Sequence, residues 1–273
     1  MVVRNKSIGV FDSGFGGLGV LRGIIKVLPE YDYVYLGDTS RAPYGHRNTE
    51  DVYKFSQEAV DFLFSKQCEL IVFGCNTASS NALHVIQHTY LPAHFPDRKV
   101  LGVLIPFSEE AVNRTRNKKV GVMATEATVR SQTFVRELAK LDPTVSVYQQ
   151  ACPLLVPFIE AGEETSAPAR EALRSYLAPL IEEHIDTLIL GCTHYGLIKK
   201  EIQEIVGVSV SLVSEENVVP PRLRRYLEAH PEIESKLTKN GSRRFYTTDT
   251  TGRFQTLGGR FFGEEIAAET VSL

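Results

Sequence analysis

Short runs of consecutive apolar residues recur along the chain, separated by stretches with helical periodicity. The runs at 7–11 (SIGVF), 33–37, 69–74, 100–104, 119–123, 145–149, 186–191, 209–213 and 243–247 predict strands. Most show no alternation, as expected for strands covered on both faces of a parallel sheet. In 50–66, Val52, Phe55, Ala59, Phe62 and Leu63 form one apolar stripe, and Val129, Phe134, Val135 and Leu138 mark the buried side of 128–140. Further helices are expected over 17–28, 79–90, 106–116, 168–184, 197–206 and 215–229. This alternation predicts an α/β fold with open, mainly parallel sheets.

A repeat underlies the pattern. The stretch SIGVFDS (7–13) aligns with KVGVMAT, which begins 112 residues later (7 to 119). The stretch ELIVFGC (69–75) aligns with DTLILGC, 117 residues later (69 to 186). Each half then holds one strand ending near a hydroxyl residue and one ending in Gly-Cys. Ligands of open α/β sheets bind beyond the carboxyl ends of the strands. Two related domains facing one another would bring Cys75 and Cys192 to opposite sides of a shared cleft.

A length of 273 residues is enough for two such domains. The net charge of −3 provides no basic footprint for nucleic acid or an anionic membrane. The one local cluster, Arg222, Arg224 and Arg225, reads as a solvated helix face. No apolar stretch approaches the roughly 18 residues of a membrane span, and the first residues lack the apolar core of an export signal. The four cysteines, Cys68, Cys75, Cys152 and Cys192, form no CxxC pair, so free thiols in a reducing cytoplasm are expected.

Two opposed thiols suggest a chemistry. A thiolate can take a proton from one face of a carbon while a thiol returns one to the other face. The roles exchange in the reverse direction, so two like residues suit the task. Asp12 and Ser13 in FDSGFGG stand at a strand end near Cys75, and Thr193 and His194 directly follow Cys192. Asn76 and Thr77 follow Cys75. In RAPYGHR (41–47), Pro43 and Gly45 bracket Tyr44 in a turn whose backbone N–H groups could grip a carboxylate. Thr125 and Thr128 flank a helix start, which favours anions. A zinc ion on Cys75, Cys192 and His194 is an alternative, but structural zinc takes four ligands with close local spacing. No metal is expected.

FDSGFGGL, GDTSRAPYGHR, FGCNTAS, ACPLLVPFIEAG and LGCTHYG resemble the glutamate racemases of the aspartate/glutamate racemase superfamily. The order of these segments and the closing TTDTTGRFQTLGGRFFG extend the resemblance over nearly the whole chain. It implies a cofactor-independent racemase with its active site in the cleft between two α/β domains, 1–98 plus 211–273 and 99–210. It implies that Cys75, with Asp12 beside it, acts on D-glutamate, and that Cys192, with His194 and Glu160, acts on L-glutamate. Ser13, Pro43, Tyr44, Gly45, Asn76, Thr77, Thr125, Thr128 and Thr193 match positions that hold the substrate. A homodimer supplying D-glutamate for bacterial peptidoglycan is implied as well. Racemisation of another acidic amino acid such as aspartate, or a catalytically weak binding or regulatory paralogue, are the alternative functions. Three departures stand out: Gly196 where the family has proline, Glu126-Ala127 where a glycine is common, and Val213-Ser214-Glu215-Glu216 where an Asp-Ser pair is usual.

Overall fold

The computed structural model describes residues 6–273. Among these residues ten strands form two sheets. The strands are β1 (Ser7–Asp12), β2 (Tyr33–Gly37), β3 (Cys68–Phe73), β4 (Lys99–Gly102), β5 (Lys119–Ala124), β6 (Ser146–Ala151), β7 (Thr187–Gly191), β8 (Ser211–Val213), β9 (Arg243–Thr247) and β10 (Ala268–Thr270). The first sheet has the order β10-β9-β2-β1-β3-β4 and the second β6-β5-β7-β8. All their pairings are parallel.

The sequence repeat has a counterpart in this order. The run β2-β1-β3-β4 matches β6-β5-β7-β8 position by position, and the aligned strands β1 and β5, β3 and β7, occupy the two central places. Every residue of β1, β2, β3 and β7 is buried. Their unbroken apolar runs therefore reflect helices covering both faces. Phe11 and Phe73 meet edge to face at 5.1 Å with neither exposed, and truncating either to alanine would cost about 3–5 kcal/mol.

The chain passes between the sheets twice. β4 hydrogen-bonds to β3 in the first sheet, and the helix Leu104–Arg114 that follows packs against the helix Thr133–Leu141 of the second half. β8 pairs with β7, and the next helix, Glu215–Ala229, packs on Gly17–Val27 in the first half. Sheet membership thus divides the chain near 103 and 214, a few residues later than the expected limits of 98 and 211. Two expected helices are broken. The 128–140 helix is interrupted at Gln132, whose φ is 56°, and 79–90 contains a π turn at Ile86–Tyr90. The helices Leu155–Ala161 and Arg253–Phe262 and the strand β10 are additional to the expected elements.

Candidate active site

The central strands of both sheets end at one place. β1 delivers Asp12 and then Ser13, β3 delivers Cys75, β5 delivers Thr125, and β7 delivers Cys192 and then Thr193. Close approach of the halves depends on glycine at two points. A Cβ on Gly16 would lie 2.1 Å from the Thr193 hydroxyl oxygen, and one on Gly45 would lie 2.8 Å from the Thr125 Cβ. Both contacts cross from the first half to the second, so the glycines of FDSGFGG and RAPYG are sites of backbone-to-side-chain packing.

Between the strand ends lies an inner cavity of about 30 Å³. Ser13, Cys75, Asn76 and Thr77 line it from one half, and Thr125, Glu160, Cys192, Thr193 and His194 from the other. Pro43, Tyr44 and Gly45 close one side. Asp12 and Thr128 lie beneath this lining, each with no exposed surface. A space of this size holds about two water molecules. An outer vestibule of about 640 Å³ shares Pro43, Gly45, Thr125 and Glu160 with it and leads toward solvent.

The two thiols have different partners. The Cys75 Sγ accepts from the Ala78 backbone N–H at 3.4 Å and lies 3.5 Å from the Ser13 hydroxyl. Burial, and secondarily the charge of Asp12, pushes the Cys75 thiol up to about 11. Burial raises Cys192 well above the usual thiol range, and the charges of Glu215, Cys75 and Asp12 act in the same direction. The Cys192 Sγ is 3.9 Å from His194 Nδ1, and His194 Nε2 is 3.0 Å from Glu160 Oε1. Glu160 in turn faces Arg253 at 3.5 Å. Burial also raises the Asp12 carboxyl, opposed by the charge of His194 and by backbone N–H groups of Gly14 and Gly17.

Hydroxyls also bring the halves together around the site. Thr77 and Thr125 meet at 2.9 Å, Thr125 lies 3.0 Å from Thr128, and the Thr193 hydroxyl donates to Asp12 at 3.4 Å. Thr125 also caps its helix by accepting from the Thr128 N–H. Tyr44 is fixed by donating to Asp38 at 2.5 Å. At the rim, His46 and Glu126 pair at 2.8 Å, which gives the departure at 126 a partner in the other half. Gly196 has open space on its Cβ side, so the turn it occupies has room for a larger residue there.

Three residues at or beneath the site were not anticipated. Arg253 reaches the vestibule only because the chain returns to the first sheet at its C-terminal end. Asp38 sits behind Tyr44 and resembles any polar turn residue. Glu215 is buried, accepts from the Asn76 side-chain amide at 3.0 Å, and has its carboxyl pushed up to about 8, chiefly by burial. An acidic residue opening a helix ordinarily reads as a solvated dipole partner. Among the described residues no cluster of three or more His, Cys, Asp or Glu side chains is arranged to hold a metal ion, and no helix is long and apolar enough to cross a membrane.

Comparisons with known proteins agree with this geometry. Residues 8–213 match the family model described as Asp/Glu/Hydantoin racemase. A glutamate racemase from Geobacter metallireducens is 39% identical over 262 residues, covering 96% of this chain and 94% of that protein. The crystal structure of a glutamate racemase isoform from Bacillus anthracis superposes with a TM-score of 0.90 at 34% identity, covering 99% of this chain and 98% of that one. The glutamate racemase of Francisella tularensis, solved in complex with D-glutamate, gives 0.88 at 33% identity, with 98% of each chain covered.

Proposed function

Because the chain belongs to the Asp/Glu/hydantoin racemase family, we propose that it interconverts L- and D-glutamate by proton transfer between Cys75, Cys192 and the substrate α-carbon, with no cofactor. The observation that carries this reading is the pair of thiols, delivered by equivalent strands of two repeated sheets, lining one small cavity.

With D-glutamate, Cys75 acts as thiolate. Its sulfur takes the α-proton, the Cα–H bond breaks, and the electron pair stays on the substrate as a carbanion-like state. The Cys192 S–H then delivers its proton to the opposite face. With L-glutamate the two residues exchange roles. Burial by itself favours the thiol form of both groups. Substrate changes that balance, because an ammonium within roughly 4–6 Å favours the thiolate. Asp12 on one side and His194 on the other are the ionisable neighbours that assist each thiol. The Ser13, Thr77, Thr125 and Thr193 hydroxyls supply donors for the substrate carboxylates, and closure over the substrate excludes water. The inner cavity is too small for glutamate as it stands, so entry requires the halves to part along the rim shared with the vestibule.

D-Glutamate made this way would serve peptidoglycan synthesis in a reducing cytoplasm, where the four free cysteines stay reduced. The family resemblance leads us to assign a homodimer. The test is incubation with each glutamate enantiomer in buffered D₂O without cofactor, read by chiral analysis and by deuterium at Cα. Inversion from both sides is expected, falling about 10³-fold or more in Cys75→Ala and in Cys192→Ala. A folded, reduced protein that inverts aspartate and leaves glutamate untouched would overturn the substrate. One that exchanges no α-proton at all would overturn the reaction.

A further inference from the structure

Glu215 and Asn76 come from distant parts of the chain. Asn76 directly follows Cys75 and lines the inner cavity. Glu215 is the first residue of the helix Glu215–Ala229, at the point where the chain leaves the second sheet for the first half. Both are nearly inaccessible, at 2% and 4% exposure. Their contact is a single hydrogen bond, in which Asn76 Nδ2 donates to Glu215 Oε1 at 3.0 Å. The other end of the amide, Asn76 Oδ1, is buried and has no protein partner among the described residues.

A buried carbonyl oxygen without a donor is destabilising, so the arrangement calls for one to arrive. In the observed pairing a Glu215 oxygen accepts from the Asn76 NH₂, and an ammonium has donors only. With its NH₂ given to Glu215, the Asn76 amide has Oδ1 left for a cation in the cavity. Turned by half a rotation, the amide would present N–H groups to the ammonium of the substrate, a donor-to-donor contact that is repulsive.

Resting on the glutamate reading above, we propose that Glu215 is a positioning residue of the site: it holds the Asn76 amide in the one orientation that lets Oδ1 accept from the substrate ammonium. Glu215 reaches the substrate only through Asn76. Its position at the chain crossing also ties that orientation to how the two halves sit.

The experiment compares Glu215→Leu, Glu215→Gln, Asn76→Ala and the Glu215→Leu/Asn76→Ala double variant in steady-state racemisation of both enantiomers. It also follows the Asn76 side-chain amide by ¹⁵N NMR, assigned by its loss in Asn76→Ala. Leucine removes the acceptor, and KM should rise about tenfold for each enantiomer, with the smaller change in kcat. Glutamine keeps an acceptor oxygen and should recover most of that loss. In the Asn76→Ala background the leucine change should add nothing. The Asn76 amide protons should be protected from solvent exchange in the unaltered protein and unprotected in Glu215→Leu. An unchanged KM in folded Glu215→Leu, or a loss of the same size in the Asn76→Ala background, would overturn the proposal. Should Glu215→Leu not fold, unprotected Asn76 amide protons in the unaltered protein overturn it, and protected ones support it. A protein that inverts no glutamate would remove the proposed function, while the amide signal still decides whether Glu215 holds Asn76.

Discussion

The surroundings of Cys75 and of Cys192 occupy equivalent places in two matched sheets, yet little else about them is alike. Cys75 is met by a backbone N–H, the Ser13 hydroxyl and the Asp12 carboxyl. Cys192 is met by the His194 backbone N–H and by its imidazole, which is backed by Glu160 and Arg253. Duplication of a βαβ framework fixes where a strand ends, and therefore where its cysteine stands. The groups that tune each thiol come from loops, which the repeat leaves free to differ. Burial raises both thiols, one beside a carboxyl and the other beside an imidazole.

The sharpest way to break this comparison is to remove one assistant at a time. His194→Asn should cut kcat about 10²-fold, more severely from L-glutamate, where Cys192 is assigned as the base. Asp12→Asn should do the same from D-glutamate. The enantiomers have equal free energies, so kcat/KM must fall equally in both directions. The asymmetry must then appear as kcat and KM moving together, read by chiral assay from each side. Equal losses of kcat in both directions for both variants would show that the two surroundings are not assigned to opposite faces.

A smaller effect concerns Glu215, which is among the charges that raise Cys192. Its folded-state pKa of about 8 lies above the reference value of 4.5. The carboxyl's contribution to stability is therefore fully present below the unfolded value and is lost as pH rises through 8. Glu215→Gln, which cannot ionise, should gain on the unaltered protein between pH 5 and pH 9, by on the order of a few kcal/mol. Urea unfolding at the two pH values measures it, and a pH-independent difference would contradict the buried carboxylate. The smallest effect is expected at the rim. Glu126→Ala breaks an exposed pair with His46 and should change stability by under about 1 kcal/mol, read as a shift in Tm.

Much of this could be read before any coordinates. β1, β2, β3 and β7 were legible because a strand buried on both faces has an unbroken apolar signature. β10 has none, since its three residues lie at a sheet edge, half-buried or exposed. The helix Arg253–Phe262 is masked by Gly258 and Gly259, and its fit depends on the absence of a side chain at 258, where a Cβ would lie 2.6 Å from Ile266. Which sheet β4 and β8 join is a matter of pairing partners that local pattern does not encode. Within the site, Cys75, Cys192, Asp12 and His194 were legible because they sit at or next to strand ends. Glu215 and Arg253 were not, because burial in one case and the return of the chain in the other follow only from the assembled fold.

The two crossings of the chain, after β4 and after β8, have a mechanical consequence. A single flexible tether lets two bodies tumble freely. Two tethers define a line, and rotation about that line is the motion that stretches neither. The halves should therefore have one soft degree of freedom, with displacement growing in proportion to distance from the axis. A few degrees of rotation would scarcely disturb residues beside the crossings, Glu215 included, while opening the rim where His46 meets Glu126. A site of this construction can admit a small anion and still return both sulfurs to the same alignment after every turnover.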